Sequence, residues 1–189
     1  GKVLGSHVKQ AGSLVNAELL RFDFTHFQPL TPEEIKKIED VVNEKIQSAD
    51  SVSKEHISHD QATKAGAIAF FGEKYGKEVR VITVGDYSKE LCGGNHVDNS
   101  AEINLFKIGQ ETGIAAGVRR IVAYTSKGAF EYLRNHNAIL SQVQEQLRAS
   151  VPQEVPEKIQ KLVESEKAAR KKAEKANTQE LYSHIDQAI

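Results

Sequence analysis

The feature that most constrains the fold is a change in composition near Ser126. Beyond it the only glycine is Gly128, and glutamate, lysine, glutamine and alanine dominate. An apolar stripe at helical spacing runs through this region, formed by Leu133, Leu140, Val143 and Leu147. Proline cannot continue a helix interior, so Pro152 and Pro156 interrupt the pattern. Residues 127–189 are therefore predicted to form a long antiparallel helical hairpin.

The second helix of this hairpin is expected to reach Ala188 and to pack Ile159 and Leu162 on the stripe near the turn. The simplest interpretation of the hairpin is a spacer with a solvated, charged face. Two more specific roles are open, a homodimer contact and a docking surface for RNA. The second role rests on basic residues that would suit phosphates, namely Lys167, Arg170, Lys171, Lys172 and Lys175.

Residues 1–126 instead mix short strands with helices. Alternating or β-rich runs predict strands over 19–24, 79–84, 103–108 and 118–124. Thr31 begins a capping box with Glu34 and opens a helix that continues to Ile46. A second helix is expected over 60–70, ended by Gly72. Strands interleaved with helices, without regular βαβ spacing, indicate an α+β domain with a largely antiparallel sheet and packed helices.

Charge and cysteine content exclude several classes of protein. Lysine and arginine number 25 against 26 acidic residues, so the net charge of −1 gives no global positive field and any nucleic-acid contact must use local patches. A single cysteine rules out an intramolecular disulfide and suits a reducing cytoplasm, which is the expected location. No run approaches 18 apolar residues, so no membrane span is predicted.

The one cysteine lies in a motif with chemical potential, Leu91-Cys92-Gly93-Gly94-Asn95-His96-Val97. A thiol and an imidazole at this spacing can bind one metal ion, because the two glycines let the backbone curl. Thiolate plus imidazole suits zinc, although two ligands are half of a tetrahedral site. Two alternatives stay open: Cys92 as a nucleophile with His96 as its base, and Cys92 as a small buried residue.

Several segments together resemble the editing domain of alanyl-tRNA synthetase. They occur in family order over about residues 2–125: residues 7–13, 20–24, 65–67, 71–76, 90–97, 106–108 and 117–121. The resemblance implies that the full enzyme, an ATP-binding ligase, removes serine or glycine from mischarged tRNA(Ala) with the help of zinc. A pocket that accepts alanine discriminates against a missing methylene or an added hydroxyl by only ~1–3 kcal/mol, so a second, hydrolytic site is needed.

The resemblance carries Cys92 and His96 over as zinc ligands and as catalytic residues. The family's other two ligands come from a His-x-x-x-His segment that would lie upstream of Gly1, so Gly1 is expected to be a boundary inside a larger enzyme. Asn95 departs from the threonine usual in the family. A catalytically silent tRNA-binding module, a helical dimerisation fragment and a free-standing editing protein are the alternative functions.

Three further residues are implicated in the site. In the family the glutamine equivalent to Gln10 lies in the editing pocket, where an amide can bind a hydroxyl or an amino group. Ser13 adds a hydroxyl nearby. Arg119 and Arg120 should point to opposite faces of a strand, so that one can bind RNA phosphate or a carboxylate while the other pairs internally. The resemblance favours Arg119 as the residue near tRNA.

Other histidines are given no site role. His7 is interpreted as structural, and no partner is evident for His26. His56 and His59 have the spacing of a ligand pair, but a surface loop is the favoured interpretation. We further expect Cys92 and His96 to converge in one cleft, with Gln10 facing the same cleft.

Overall fold

The computed structural model describes residues 1–68 and 76–186, with side chains up to Lys175. It divides into two compact units, Gly1–Leu133 and Arg134–Ile189. The strands are β1 Gln10–Val15, β2 Leu20–Thr25, β3 Val52–Ser58, β4 Glu78–Val84, β5 Ser88–Leu91, β6 Phe106–Ala115 and β7 Val118–Thr125. The helices are α1 Pro32–Gln47, α2 His59–Lys64, α3 Ser126–Leu147 and α4 Val155–Asp186.

The strands form two antiparallel sheets, one of four strands in the order β1-β2-β7-β6 and one of three in the order β3-β4-β5. The predicted α+β class with a largely antiparallel arrangement is therefore confirmed. One face of the four-stranded sheet carries the main core, which includes Phe24, Phe106, Ile108, Ile121 and Ala123. Apolar residues of α1 pack on the same core, as their spacing predicts.

Polar contacts fix α1 against the edge of this sheet. The helix begins after Thr31 with the predicted capping box to Glu34. Farther along, the side chain of Asn43 accepts a hydrogen bond from the amide of Phe106 at 2.8 Å and donates to its carbonyl at 2.9 Å. Glu39 accepts the amide of Ile108 at 2.8 Å. Side chains of α1 thus form hydrogen bonds with backbone groups of the edge strand β6 that have no partner strand on that side.

The three-stranded sheet differs from the sequence prediction in β3 and β5, which were not expected. His56 lies in β3 and His59 is the first residue of α2, so the surface loop expected for them is wrong. The residues of β3 are mostly polar and exposed, and the strand is defined by its pairing with β4 along its whole length. Such a strand owes its structure to its neighbour more than to its own propensity.

Two predicted boundaries also need correction. The second helix ends at Lys64 because Gly66 adopts a left-handed conformation with φ of +75°, which stops the helix well before the predicted residue 70. Gly72, the predicted terminator, lies outside the described residues. Ile103 belongs to a short 3-10 helix, and Asn104 at φ of 61° separates it from β6, so that strand begins only at Phe106.

The first turns of α3 belong to the first unit, which extends to Leu133 and past the predicted boundary at 126. Ala129 is fully buried. Tyr132 stacks on Tyr124 with 5.0 Å between ring centroids and donates a hydrogen bond to the carbonyl of Gly109 at 3.2 Å. The functional assignments of 1–126 and 127–189 stay predictions.

The second unit contains the rest of α3 and the whole described length of α4, joined at the proline-containing turn, where they were predicted. The packing expected for α4 is wrong, because Ile159 and Leu162 remain 43% and 59% exposed, and Val155 is the buried residue at the turn. Instead α4 carries ion pairs one turn apart, including Lys161 with Glu157, that suit a solvated helix. Ala188, its predicted end, lies outside the described residues. None of the described helices combines the length and the apolar composition that crossing a membrane requires.

Candidate functional site

The Cys-Gly-Gly-Asn-His loop leaves the end of β5 and is held over one face of the three-stranded sheet. Cys92 continues the ladder, since its amide donates to the carbonyl of Arg80 on β4 at 3.1 Å. Arg80 in turn donates from its guanidinium to the carbonyl of Gly94 at 2.6 Å. Lys54 on β3 donates to the carbonyl of His96 at 3.0 Å and pairs with Asp98. Two cations from neighbouring strands therefore fix the loop backbone.

The surroundings of His96 in this loop favour its neutral form. Its Nε2 atom is buried and has no hydrogen-bond partner among the described residues. Burial lowers the pKa of the imidazole, and the positive charges of Arg80 and Lys54 lower it further. A neutral imidazole with an unpartnered ring nitrogen is what a metal ion requires from histidine. If neither an ion nor a water bound there, this nitrogen would be a buried polar atom without a hydrogen-bond partner.

Cys92 begins the same loop, directly after the end of β5 at Leu91. The residue is half-buried and its thiol is free. A Cβ added to Gly94 would lie 3.5 Å from the Cys92 sulfur, so the glycine keeps one side of the thiol open. Within residues 1–68 and 76–186 no group of three or more histidine, cysteine or acidic side chains could hold a metal ion. Cys92 and His96 thus fit half of a zinc site, and their convergence on one ion stays a prediction.

A cavity of about 410 Å³ opens beside His96. Its walls are mainly apolar and include Val42 and Ile46 of α1, with Tyr87 and Lys45 as polar neighbours. The Lys45 ammonium lies 4.6 Å from the centroid of the Tyr87 ring. A space of this size can hold a small ligand group, and a few polar side chains at its wall can orient that group. The prediction that Gln10 faces one cleft with Cys92 and His96 is untested, and Gln10 does not line this cavity.

Gln10 and Ser13 meet on the four-stranded sheet because β1 contains a bulge. Residues three apart in a regular strand point to opposite faces. Here Gln10 lies opposite Phe24 and Ser13 opposite Phe22, with the register shifted between Gln10 and Gly12. The bulge therefore brings Gln10 and Ser13 to one face, where the Gln10 amide nitrogen donates to the Ser13 hydroxyl at 3.1 Å. Bulges commonly redirect side chains beside functional sites.

Arg119 lies in the same cross-strand row as Gln10. Phe24 of β2 is opposite Gln10 on one side and opposite Arg119 of β7 on the other. Directly opposite residues of antiparallel strands share a face, so Gln10, Phe24 and Arg119 line one face of the sheet. The Arg119 guanidinium makes a two-pronged ion pair with Glu111, with Nε–Oε1 at 2.5 Å and Nη2–Oε2 at 2.8 Å.

Arg120 points to the other face, as predicted. It makes a two-pronged ion pair with Asp23 at 2.7 and 2.8 Å. Asp23 is buried, and the Arg120 hydrogen bonds lower the pKa of its carboxyl. Both arginines therefore have a carboxylate partner on a neighbouring strand. Neither Glu111 nor Asp23 was identified from the sequence. Asp23 lies within a predicted strand, whereas Glu111 lies beyond the predicted end of its strand at residue 108, since β6 continues to Ala115.

The histidines near the start of the chain form a pair. Nε2 of His7 and Nδ1 of His26 are hydrogen-bonded at 2.9 Å, and the rings stack with 5.2 Å between centroids. His26 is only 6% exposed. His7 is thus the partner of His26 that was not evident from the sequence. Because the two residues are distant in the chain, only the antiparallel pairing of β1 and β2 brings them together.

Comparisons with known proteins define the class of this domain. Residues 79–122 match the model of the threonyl and alanyl tRNA synthetase second additional domain. An alanine–tRNA ligase of Shouchella clausii is 55% identical over 172 residues, which is 91% of this chain and 20% of that protein. One from Streptococcus gordonii is 56% identical over 162 residues, covering 86% of this chain and 19% of that protein.

A third relative, the alanine–tRNA ligase of Streptococcus sanguinis, is 49% identical over 193 aligned positions that cover 98% of this chain and 22% of that protein. The chain thus spans about a fifth of the length of the curated relatives it matches. It belongs to the alanyl-tRNA synthetase family, as a fragment that contains the editing domain.

Proposed function

We propose that this chain is the hydrolytic editing part of a longer enzyme, acting on tRNA(Ala) that carries serine or glycine. The observation that carries the proposal is the polar pair of Gln10 and Ser13, which the β1 bulge places on one sheet face with Arg119. An editing pocket must accept a serine hydroxyl, and neighbouring amide and hydroxyl groups supply both a donor and an acceptor.

Gln10 is suited to bind the substrate's polar group. Its amide nitrogen is engaged by Ser13, which leaves the amide oxygen without a donor in the described part of the chain. That oxygen can accept a hydrogen bond from the serine hydroxyl or the α-ammonium of the aminoacyl ester. The Ser13 hydroxyl, which accepts from Gln10, can donate its own proton to a substrate oxygen. The pair is therefore complementary to a hydroxylated amino acid.

Cys92 and His96 would hold zinc together with ligands from elsewhere in the enzyme. When bound, zinc supplies a Lewis acid that orients and polarises the ester or the attacking water. The contribution of this chain is to present a neutral imidazole and a free thiol on a loop that Arg80 and Lys54 fix in place. Because the loop is already held in one conformation, it would lose little conformational entropy when Cys92 and His96 bind the ion.

The test uses a longer version of the enzyme that carries the family's upstream histidines, with Ser-tRNA(Ala) as substrate. Gln10→Ala should slow hydrolysis about tenfold, because one hydrogen bond to the bound hydroxyl contributes on the order of 1 kcal/mol and its unpaired partner costs more. Gly-tRNA(Ala), which lacks the hydroxyl, should be affected less. Gln110→Ala is the matched control, since Gln110 is an exposed glutamine on β6 of the same sheet.

Equal hydrolysis rates for Gln10→Ala and the parent enzyme would remove Gln10 from the site. Absence of hydrolysis by the parent enzyme itself would favour the second candidate, a tRNA-binding module without activity. This candidate is supported by the lack of a third metal-ligating side chain near Cys92 and His96 among the described residues. It predicts binding of tRNA(Ala) by the longer version without any release of serine.

A further inference from the structure

Phe27 places a bare aromatic ring at the surface of the first unit. The residue follows β2 and is 85% exposed, more than any other large hydrophobic side chain among the described residues. A phenyl ring this exposed contributes little to the stability of the fold, because it buries almost no apolar area. The ring is nevertheless held in a defined position, which calls for an explanation beyond stability.

A stack of rings fixes this position from beneath. Phe27 stacks on His7 with 5.7 Å between centroids and 22° between planes. His7 stacks in the same way on His26, which is buried and hydrogen-bonded to it. The hydroxyl of Thr25 donates to the carbonyl of His7 at 2.8 Å, which fixes the backbone of that residue as well. Phe27 is thus the outermost member of a stack that begins in the protein interior.

The stack stands at the end of the sheet that carries the Gln10–Phe24–Arg119 row. The amide of His26 donates to the carbonyl of Gly117, in the turn that precedes β7. The amide of Thr25 donates to the carbonyl of Lys9, the residue before Gln10. Lys9 is exposed, and no carboxylate of the described residues forms an ion pair with its ammonium. An open ring face and an unneutralised cation therefore occur at the same end of the sheet.

We propose that Phe27 is a stacking platform for an unpaired nucleobase of the RNA whose ester is hydrolysed, and this rests on the proposed function. Sequence-tolerant binding of single strands combines aromatic faces with nearby cations, since every base has a π-face and every nucleotide a phosphate. The single-stranded end that carries the amino acid must be held when it enters the site. One ring suffices for one base, whereas a stable protein interface buries roughly 1,000 Å² or more.

The test uses the 189-residue chain and a short unpaired RNA oligonucleotide ending in 2-aminopurine, whose fluorescence falls when it stacks. We expect quenching on binding by the parent chain. Phe27→Ala should abolish the quenching and weaken binding roughly 5- to 150-fold, the range measured for losing one stacked base. Phe27→Trp should retain both. Val15→Ala is the matched control, since Val15 is 73% exposed at the far end of β1.

Phe27 is exposed and its one protein stack among the described residues is with His7, so Phe27→Ala should keep a cooperative thermal transition with a midpoint lowered by at most about 6 °C. An absence of quenching by the parent chain, or equal quenching and affinity for Phe27→Ala, would overturn the proposal. So would a change in sedimentation of Phe27→Ala with unchanged RNA binding, which would identify the ring as a contact between proteins.

A second readout separates this proposal from the proposed function. In the longer enzyme, Phe27→Ala should raise KM for Ser-tRNA(Ala) and leave kcat unchanged, since the ring touches no reacting atom. If the parent enzyme hydrolyses the ester and Phe27→Ala has the same KM, the platform is refuted and editing stands. If the parent enzyme does not hydrolyse it, the proposed function fails, and the quenching experiment still decides whether Phe27 stacks on a base.

Discussion

Replacing Tyr132 tests how far the editing core extends into α3. Tyr132→Leu keeps an apolar side chain but removes the ring stack on Tyr124 and the hydrogen bond to Gly109. An aromatic pair contributes about 0.5–1.5 kcal/mol beyond its buried area, and a neutral hydrogen bond a similar amount. The loss should therefore be about 1–3 kcal/mol in the free energy of unfolding. Tyr132→Phe should lose only the hydrogen-bond part.

Urea unfolding followed by circular dichroism measures these losses. For a chain of this size each kcal/mol also lowers the thermal midpoint by about 2–4 °C. Ile139→Ala is the control, because Ile139 lies on the same helix beyond the first unit and is 59% exposed. If Tyr132→Leu were as stable as the parent chain, the first turns of α3 would not belong to the core.

Shortened chains give an independent check of the same boundary. A chain ending at Leu133 retains Ala129, which is fully buried, and the Tyr132 contacts. A chain ending at Ser126 loses both. We expect the first to keep a cooperative thermal transition and the second to melt at a lower temperature. Identical midpoints would restore the boundary at 126 that the composition predicts.

Two further predictions concern the ion pairs of the sheet. Arg120 lowers the pKa of Asp23 below its ordinary 3.8 in the folded chain. Asp23 therefore contributes stability that is fully present above pH 3.8 and is lost as the pH falls through the lowered pKa. Asp23→Asn should be less stable at neutral pH, and its urea midpoint should fall less steeply with acidification; parallel curves for the two chains would contradict this. In Gly113→Ala the new Cβ would lie 2.8 Å from Nη1 of Arg119, so the guanidinium must shift. We expect the shift to loosen the ion pair with Glu111, so that the Arg119 Nε–H exchanges faster with solvent while the fold is retained. An unchanged exchange rate would contradict this prediction.

The parts of the fold with strong local signals could be predicted from the sequence. The capping box at Thr31 and the apolar face of α1 are encoded within a few residues, and both predictions hold. The end of the second helix and the start of β6 were wrong because each depends on one backbone conformation, at Gly66 and Asn104. The strand β3 was missed because its polar residues gain their structure from pairing with β4.

The sequence singled out candidate site residues but not the residues that surround them. The motif made Cys92 and His96 candidates, since a thiol and an imidazole separated by glycines are chemically distinctive, and their role stays a prediction. It gave no indication that Arg80 and Lys54 fix the loop, because these residues lie on other strands and come close only through sheet pairing. The ion-pair partners of the sheet arginines were missed for the same reason. Long-range pairs of this kind require the register, which a single sequence does not specify.

The bulge in β1 shows how one irregularity can decide which side chains meet. A regular strand would place Gln10 and Ser13 on opposite faces, because side chains alternate with a period of two. With Ala11 as the extra residue, Gln10 faces Phe24 and Ser13 faces Phe22, and both side chains reach the face that carries Arg119. The short polar run around Ala11 has no apolar alternation that would reveal the shift. The polar pair on which the proposed chemistry depends therefore follows from the pairing of β1 with β2, and removing the extra residue should separate the pair without unfolding the sheet.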